Sequence, residues 1–296
     1  MPSHDDLAAR LEATGDYRVL RRLVPVRAYD AAPAAATRQA VVVDTETTGL
    51  DPATDAIIQL AILPFRYDPK SGAVGEVGEA WAAFEDPGRP IPETARRLTG
   101  ITDEMVRGQR IDDDAVAALV ADAALVIAHN AWFDRRFLER RLPLFADKAW
   151  ACSDRELGWK ERFGYASAAL EHLAYRHAGV FFDGHRADAD VRATLHVLAT
   201  PAADGTRPLQ LLLESARTPL HRIWATGAPF ETKDALRTRG YRWSGGEDGR
   251  PRAWWTERPA PEADAELDWL AEHAYGGRRD RWQVDVLTAK ERYRDR

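Results

Sequence analysis

Two acids set two residues apart, Asp44 and Glu46, lie in the run Val41-Val42-Val43-Asp44-Thr45-Glu46-Thr47-Thr48-Gly49-Leu50. The three valines predict a strand buried on both faces, because β-branched side chains pack well on a pleated surface. A period of two places both carboxylates on one face of that strand's end. Ionised carboxylates about 4 Å apart repel by roughly 4 kcal/mol at an effective dielectric of 20. A divalent cation between them relieves that repulsion, and carboxylate oxygens are the donors such cations take. For the pair alone, a solvated strand end is the competing explanation.

Two later segments weigh against that alternative. Leu125-Val126-Ile127-Ala128-His129-Asn130-Ala131-Trp132-Phe133-Asp134 reads as a buried strand entering a helix, with Asp134 in the first turn. Gly184-His185-Arg186-Ala187-Asp188-Ala189-Asp190 places a histidine five residues before an aspartate that enters or lies on a helix. The set of interest is therefore Asp44, Glu46, Asp134 and Asp190, with His185 beside them. Asp188 reads as a solvated acid, Phe133 as core, and His172, His177 and His196 as structural. His129 and Asn130 divide between caps that orient the Asp134 loop and contacts to substrate.

The elements that position these residues follow from pattern and punctuation. Strands are expected at Val41–Val43, Ile57–Phe65 and near Ala80–Phe84, as a meander turning at Asp51-Pro52. A further buried strand is expected at Leu125–Ala128, with helices over 115–122, 133–141, 168–177 and 190–199. The Ala/Pro stretch Ala31–Ala36 reads as a flexible linker. After Pro201 the composition shifts, and six of the chain's ten tryptophans lie from Trp224 onward. Here a helix is expected over Lys233–Arg239, two strands at Tyr241–Trp243 and Arg252–Thr256 joined across Ser244–Gly249, and an amphipathic helix over Pro261–Tyr275. The expected organisation is an N-terminal extension and linker (1–37), a main domain (38–200), a connecting segment (201–225) and a small accessory domain (226–296).

Composition bounds the partners. The chain has 296 residues, a formal net charge of −6 and one cysteine, Cys152. A net negative charge argues against a generally basic nucleic-acid coat, although an acidic site loaded with metal carries its own compensation. A lone cysteine suits a reducing compartment. No apolar run approaches the roughly 18 residues that span a bilayer. Cytoplasmic location is the expectation.

In order and spacing the three segments resemble the motifs of the DEDDh 3′→5′ exonucleases, the family of the proofreading subunit of bacterial DNA polymerase III. These are Asp-Thr-Glu-Thr-Thr-Gly (44–49), His-Asn-Ala-x-Phe-Asp (129–134) and His-x-Ala-x-x-Asp-x-x-Ala-Thr (185–194). Leu98-Thr99-Gly100-Ile101-Thr102 is similar to the segment that the family carries between its first two motifs. The resemblance covers roughly residues 40–200. It implies an α/β fold, an RNase H-like mixed five-stranded sheet flanked by helices. It implies Asp44, Glu46, Asp134 and Asp190 as ligands of two divalent cations, Mg2+ or Mn2+, clamping attacking and leaving oxygens. His185 would be the general base, a use suited to a side chain whose ordinary pKa lies near 6.5. Thr47, Thr48, Gly49 and Leu50 would meet the terminal nucleotide, with His129 and Asn130 as further substrate contacts.

The activity implied is removal of 5′-mononucleotides from DNA 3′ ends, single-stranded or frayed, of a repair or proofreading type. The alternatives are an exoribonuclease trimming RNA 3′ ends, or a non-catalytic subunit that binds nucleic acid or a polymerase. The expected partners are DNA 3′ ends and a polymerase or another replication or repair protein. Residues 226–296 resemble the tail of exodeoxyribonuclease X and are expected to be a small α+β domain. Its tryptophans serve either as the core of that domain or, interleaved with arginine, as a surface that tracks a strand.

Overall fold

A computed structural model describes residues 2–30, 37–246 and 249–294. The chain divides into two compact units, Met1–Leu213 and Glu214–Arg296.

The first unit is built on one mixed sheet. Its central strand is β1 (Arg38–Thr47), flanked by antiparallel β2 (Ile57–Tyr67). Two short strands, β3 (Val74–Val77) and β4 (Trp81–Phe84), share the outer edge of β2. The first pairs with Phe65 and Tyr67, and the second with Gln59–Ile62. On the other side β5 (Ala123–Ala128) runs parallel to β1, and β6 (Trp150–Cys152) runs parallel to β5. The sheet thus has five positions, with the outermost one of the meander split between two strands. This antiparallel meander followed by two parallel strands is the RNase H-like arrangement. Ala40–Val43 in β1 and Leu125–Ala128 in β5 are buried, as expected of strands covered on both faces.

Helices α1 (Asp113–Val120), α2 (Ala131–Arg141), α3 (Leu170–Arg176) and α4 (Ala187–Ala199) belong to this unit, and the starts of α2 and α4 carry residues of the site. Helix α4 packs on β1 and β2, burying Val191, Leu195 and Leu198. The N-terminal extension is part of this unit. A capping box between Ser3 and Asp6 starts a helix over His4–Glu12. Arg21–Arg22 then pairs in parallel with Val180–Phe181, just upstream of α4. Asp30 takes both Nη groups of Arg207, at 2.7 and 2.9 Å. The expected Ala31–Ala36 linker lies outside the described residues.

In the second unit a four-stranded antiparallel sheet has β7 (Leu220–Ala225) between β9 (Trp254–Pro259) and β10 (Gln283–Leu287). The edge strand β8 (Arg242–Trp243) pairs with β9. Residues 201–225 are therefore not simply a connector, because Leu220–Ala225 is an inner strand of this sheet. A start at 226 would leave β9 and β10 without the strand that both pair with. Helices α5 (Lys233–Thr238) and α6 (Ala260–Ala274) cover one face, where Ile223, Leu236, Tyr241, Leu270 and Ala274 form the core. Trp254, Trp269 and Trp282 pack against it, so part of the tryptophan content is core. Part of the Ser244–Gly249 turn, Glu247 and Asp248, lies outside the described residues.

Glu266, 4% exposed, links two segments of the second unit. Its two oxygens accept from Arg239 Nε at 2.9 Å and Arg258 Nε at 3.2 Å. Removing the carboxylate takes a partner from Arg239, which is 37% exposed, and from Arg258, which keeps its bonds to Thr256 and to the carbonyls of Glu257 and Arg239. We expect Glu266→Ala to cost roughly 1 to 2 kcal/mol, less than for a fully closed pair, seen as earlier loss of this unit's tryptophan fluorescence in urea. An unchanged transition midpoint would show that the pair contributes no net stability.

Candidate active site

The site grows from the end of β1. Asp44 lies opposite Ala61 of β2, and Glu46 opposite Gln59. Asp44 is half-buried and Glu46 buried. The register breaks between Glu46 and Thr47, and the chain then turns sharply. Asp55 organises that turn: its carboxylate accepts from the Thr48 hydroxyl (3.1 Å), the Asp51 N–H (3.1 Å) and Arg89 Nη2 (3.1 Å). A Cβ at residue 49 would run into the Asp55 carboxylate, which its hydrogen bonds hold in place, so close approach favours glycine there. The Thr47 hydroxyl donates to the Gly49 carbonyl. Both threonine side chains therefore act within the turn, while Leu50 stands 80% exposed beside it.

Two helix starts bring the remaining acids. Asp134, 3% exposed in the first turn of α2, accepts at Oδ1 from the Thr45 N–H (3.0 Å) and the Thr45 hydroxyl (2.9 Å). Asp190, in the first turn of α4, accepts at Oδ2 from the Arg186 N–H (2.8 Å). Asp44, Glu46 and Asp190 each offer an oxygen, and the three lie within 4.8 Å of one another. Asp134 is outside that trio, held by Thr45, yet close enough for its charge to act on Asp44 and Glu46.

Burial and mutual repulsion set the protonation of these groups. Burial, then the charges of Asp134, Asp190 and Glu46, hold Asp44 well above the usual carboxylate range. Burial followed by Asp190 and Asp134 pushes Glu46 up to about 8. Burial raises Asp134 to about 7 against the pull of its Thr45 hydrogen bonds. Burial raises Asp190 to about 6, opposed by the Arg186 N–H and by the charge of His185. Four acids at one point, all resisting ionisation, form a site that a cation would complete. The trio is all carboxylate oxygen, which fits a hard divalent ion rather than a thiolate-seeking metal.

His185 is exposed in the loop before α4, with φ of 59°. That left-handed backbone is uncommon for a side chain with a Cβ and recurs at functional positions. A Cβ at the preceding Gly184 would lie 2.6 Å from Glu171 Oε1. Glu171 also raises Asp190 by its charge, an acid that the motifs do not contain.

His129 is bound internally at both ring nitrogens. Nε2 lies 2.8 Å from the Ala168 carbonyl, and Nδ1 2.8 Å from the Ser153 hydroxyl. A carbonyl only accepts, so Nε2 carries the proton and the neutral ring accepts from Ser153. Both ring nitrogens are thus engaged within the fold, the arrangement of the bracing cap that is one of the two expectations for His129. Asn130 is exposed, and its backbone carbonyl, not its side chain, accepts from the N–H groups of Phe133 and Asp134. Asp188 pairs with Arg192 at 3.2 Å, and Phe133 is half-buried against Phe137. His177 bridges Tyr165 and Thr200, and His196 meets Tyr29.

Sequence reasoning passed over Thr45, Gln59 and Arg89. Gln59 is buried, and its Oε1 accepts from the Ala187 N–H at the start of α4 (3.3 Å). Its signal was an amide inside the apolar run Ile57-Ile58-Gln59-Leu60. Thr45 and Arg89 carry no such signal.

A mixed sheet with carboxylates converging at the end of its central strand defines a site of the kind that takes hard divalent cations. The family model for exonucleases of the RNase_T type matches residues 41–198. This chain belongs to that exonuclease family. The PolC-type DNA polymerase III of Halalkalibacterium halodurans is 35% identical over 175 residues, 56% of this chain and 11% of the polymerase. That of Thermotoga petrophila is 28% identical over 166 residues, 53% of this chain and again 11% of the polymerase. The match thus spans about a tenth of those relatives' length. The solved structure of exonuclease X with 5′ overhanging duplex DNA shares 22% identity over 57% of this chain and 98% of its own, with a TM-score of 0.39. An exonuclease I structure shares 21% identity over 86% and 63%, with a TM-score of 0.47.

The raised acids have a thermodynamic consequence. A carboxyl whose folded pKa is raised contributes stability below the ordinary carboxylate range, and that contribution is lost as pH rises through the folded value. The losses begin near the ordinary carboxylate range and are complete above about 6 for Asp190, about 7 for Asp134 and about 8 for Glu46. We expect the Tm of EDTA-treated protein to fall between roughly pH 4 and 8, and added Mg2+ or Mn2+ to restore it most at the alkaline end. An EDTA profile flat across that range would contradict the assigned protonation.

Proposed function

We propose that the chain is a metal-dependent 3′→5′ exonuclease releasing 5′-mononucleotides from DNA 3′ ends, single-stranded or frayed. The observation that carries this reading is the trio Asp44, Glu46 and Asp190 within 4.8 Å, with Asp134 anchored beside it. Two divalent cations, Mg2+ or Mn2+, would supply electrostatic stabilisation of the scissile phosphate when bound. Asp44, Glu46, Asp134 and Asp190 would hold them. His185 takes the proton of the attacking water at an imidazole nitrogen, and its exposed loop position leaves it open to solvent and substrate. Leu50, free of the packed turn, lies against the terminal base. The backbone of Thr47, Thr48 and Gly49 approaches the terminal nucleotide, and Asn130, exposed at the start of α2, is a further contact to it. A nucleic-acid 3′ end is the partner, and the similarity to polymerase chains points to a replication or repair protein as a second one.

The test uses DNA and RNA oligonucleotides labelled at the 5′ or the 3′ end, with Mg2+, Mn2+ or EDTA. A 3′ label should leave as a mononucleotide in the first turnover, and EDTA should abolish release. Label lost first from the 5′ end would overturn the polarity, and faster loss from RNA the choice of sugar. Asp44→Ala or Asp134→Ala should remove activity while keeping the fold. Retention of more than a few per cent of wild-type rate would contradict their assignment. His185→Gln should cost on the order of 10² to 10⁴ in rate and flatten the acidic limb of the pH–rate profile. An unchanged limb would move the base elsewhere.

A further inference from the structure

The second unit lies outside the matched region and holds none of the acids of the site. One of its edges carries large aromatics that the fold leaves in water. Trp243, on the two-residue edge strand β8, is 53% exposed, and Phe230, before α5, is 74% exposed. Singly exposed rings are ordinary, but rings that form a contiguous patch with cations mark surfaces that bind.

Cations alternate with these rings. Lys233 Nζ sits 4.2 Å from the Phe230 ring centroid, and the Arg237 guanidinium 5.9 Å from that of Trp254. Lys233 and Arg237 are one helical turn apart on α5 and so share a face. Trp254 lies opposite Trp243 in the β8–β9 register, with the rings edge to face at 5.7 Å. Phe230, Lys233, Arg237, Trp254 and Trp243 therefore form one continuous strip. Arg237 is paired only loosely, with an exposed Asp234 at 3.7 Å, a contact that water largely screens.

The opposite face of the sheet is different. There Arg222 is bound to Glu257 at 2.7 and 2.9 Å, and Trp224 donates to Asp285 at 2.9 Å. On that face the Arg242 guanidinium lies over the Trp255 ring at 4.4 Å, so its cations and rings are engaged chiefly with one another. Charge separates the strip from the rest of the chain too. Residues 230–255 hold six Lys or Arg against four Asp or Glu, in a chain of formal net charge −6.

We propose that this strip binds single-stranded nucleic acid, with a base stacked on Trp243 and phosphates met by Lys233 and Arg237. Stacking needs only a π-face and so is tolerant of sequence, while the two cations track the backbone. A processing enzyme gains from such a surface because it holds the strand while the 3′ end is shortened. The inference rests on the exonuclease reading for its purpose, but its chemistry is separate.

The full chain is measured in EDTA, where no hydrolysis occurs, by fluorescence anisotropy with a labelled oligo(dT) over a range of salt. Trp243→Ala should weaken binding about 5- to 100-fold, and Trp243→Phe by less, because a smaller ring still stacks. The double variant Lys233→Ala/Arg237→Ala should reduce the salt slope by about 0.7 for each phosphate that is no longer neutralised. Hydrolysis of the p-nitrophenyl ester of thymidine 5′-monophosphate, a single nucleotide with no strand to track, should be unchanged in every variant, since none of the substituted residues belongs to the acidic site. Wild-type affinity and slope retained in Trp243→Ala and in the double variant would overturn the proposal and favour a protein as the occupant. Absence of measurable oligo(dT) binding by the wild type would overturn it as well. Loss of binding in the variants, with no ester hydrolysis even in the wild type, would sustain the strip and sink the exonuclease reading.

Discussion

Carboxylates that repel one another are held at one point because the scaffold around them does not yield. β1 is hydrogen-bonded on both sides, antiparallel to β2 and parallel to β5, and its core residues Ala40–Val43 are buried. Strand ends fixed in this way cannot splay to separate Asp44 from Glu46. The two helix starts are tied down in turn. Thr45 spends its N–H and its hydroxyl on Asp134, and the Arg186 N–H is aimed at Asp190. Gln59 fastens the first residue of α4 to the sheet. The repulsion is thereby stored at the site, where each acid's protonation depends on its neighbours, instead of being relaxed by movement.

Reading the sequence found the acids because their chemistry is local. Asp44 and Glu46 follow a valine run, and Asp134 and Asp190 fall in first helical turns, so strand period and capping place them. What escaped was support that arises only in three dimensions. Nothing in a single threonine between two acids says that a helix from residue 131 will come to bond it. The strands missed were also those whose burial comes from neighbours. Trp150–Cys152 has three residues and Val74–Val77 four, too short for a period to show. Leu220–Ala225 has His221 and Arg222 in its first half, and so read as a connector. It is nonetheless an inner strand of its sheet, paired on both sides, with Arg222 meeting Glu257 across the ladder.

The N-terminal extension shows the same limit. Residues ahead of the matched region put a strand against Val180–Phe181, and Leu23 N–H bonds the Phe181 carbonyl at 2.8 Å. Arg22 pairs with Asp183, two residues before His185. That ion pair is exposed and contributes little by itself, about 1 kcal/mol at most. The backbone pairing, rather than the charge, ties the extension to the segment that carries His185.

Cys152 closes β6 at the parallel edge of the sheet, fully buried, with burial as the main cause of a thiol pKa pushed up to about 12. It is the chain's single sulfhydryl. A thiol so placed is inert to alkylating reagents while the edge is closed, since only the thiolate reacts and only an accessible one is reached. Its reaction rate therefore reads the frequency with which β6 parts from β5, with no competing signal from another cysteine. The same strand precedes Ser153, whose hydroxyl meets His129. One labelling time course on the unmodified protein would thus report how often the brace behind the Asp134 helix comes undone.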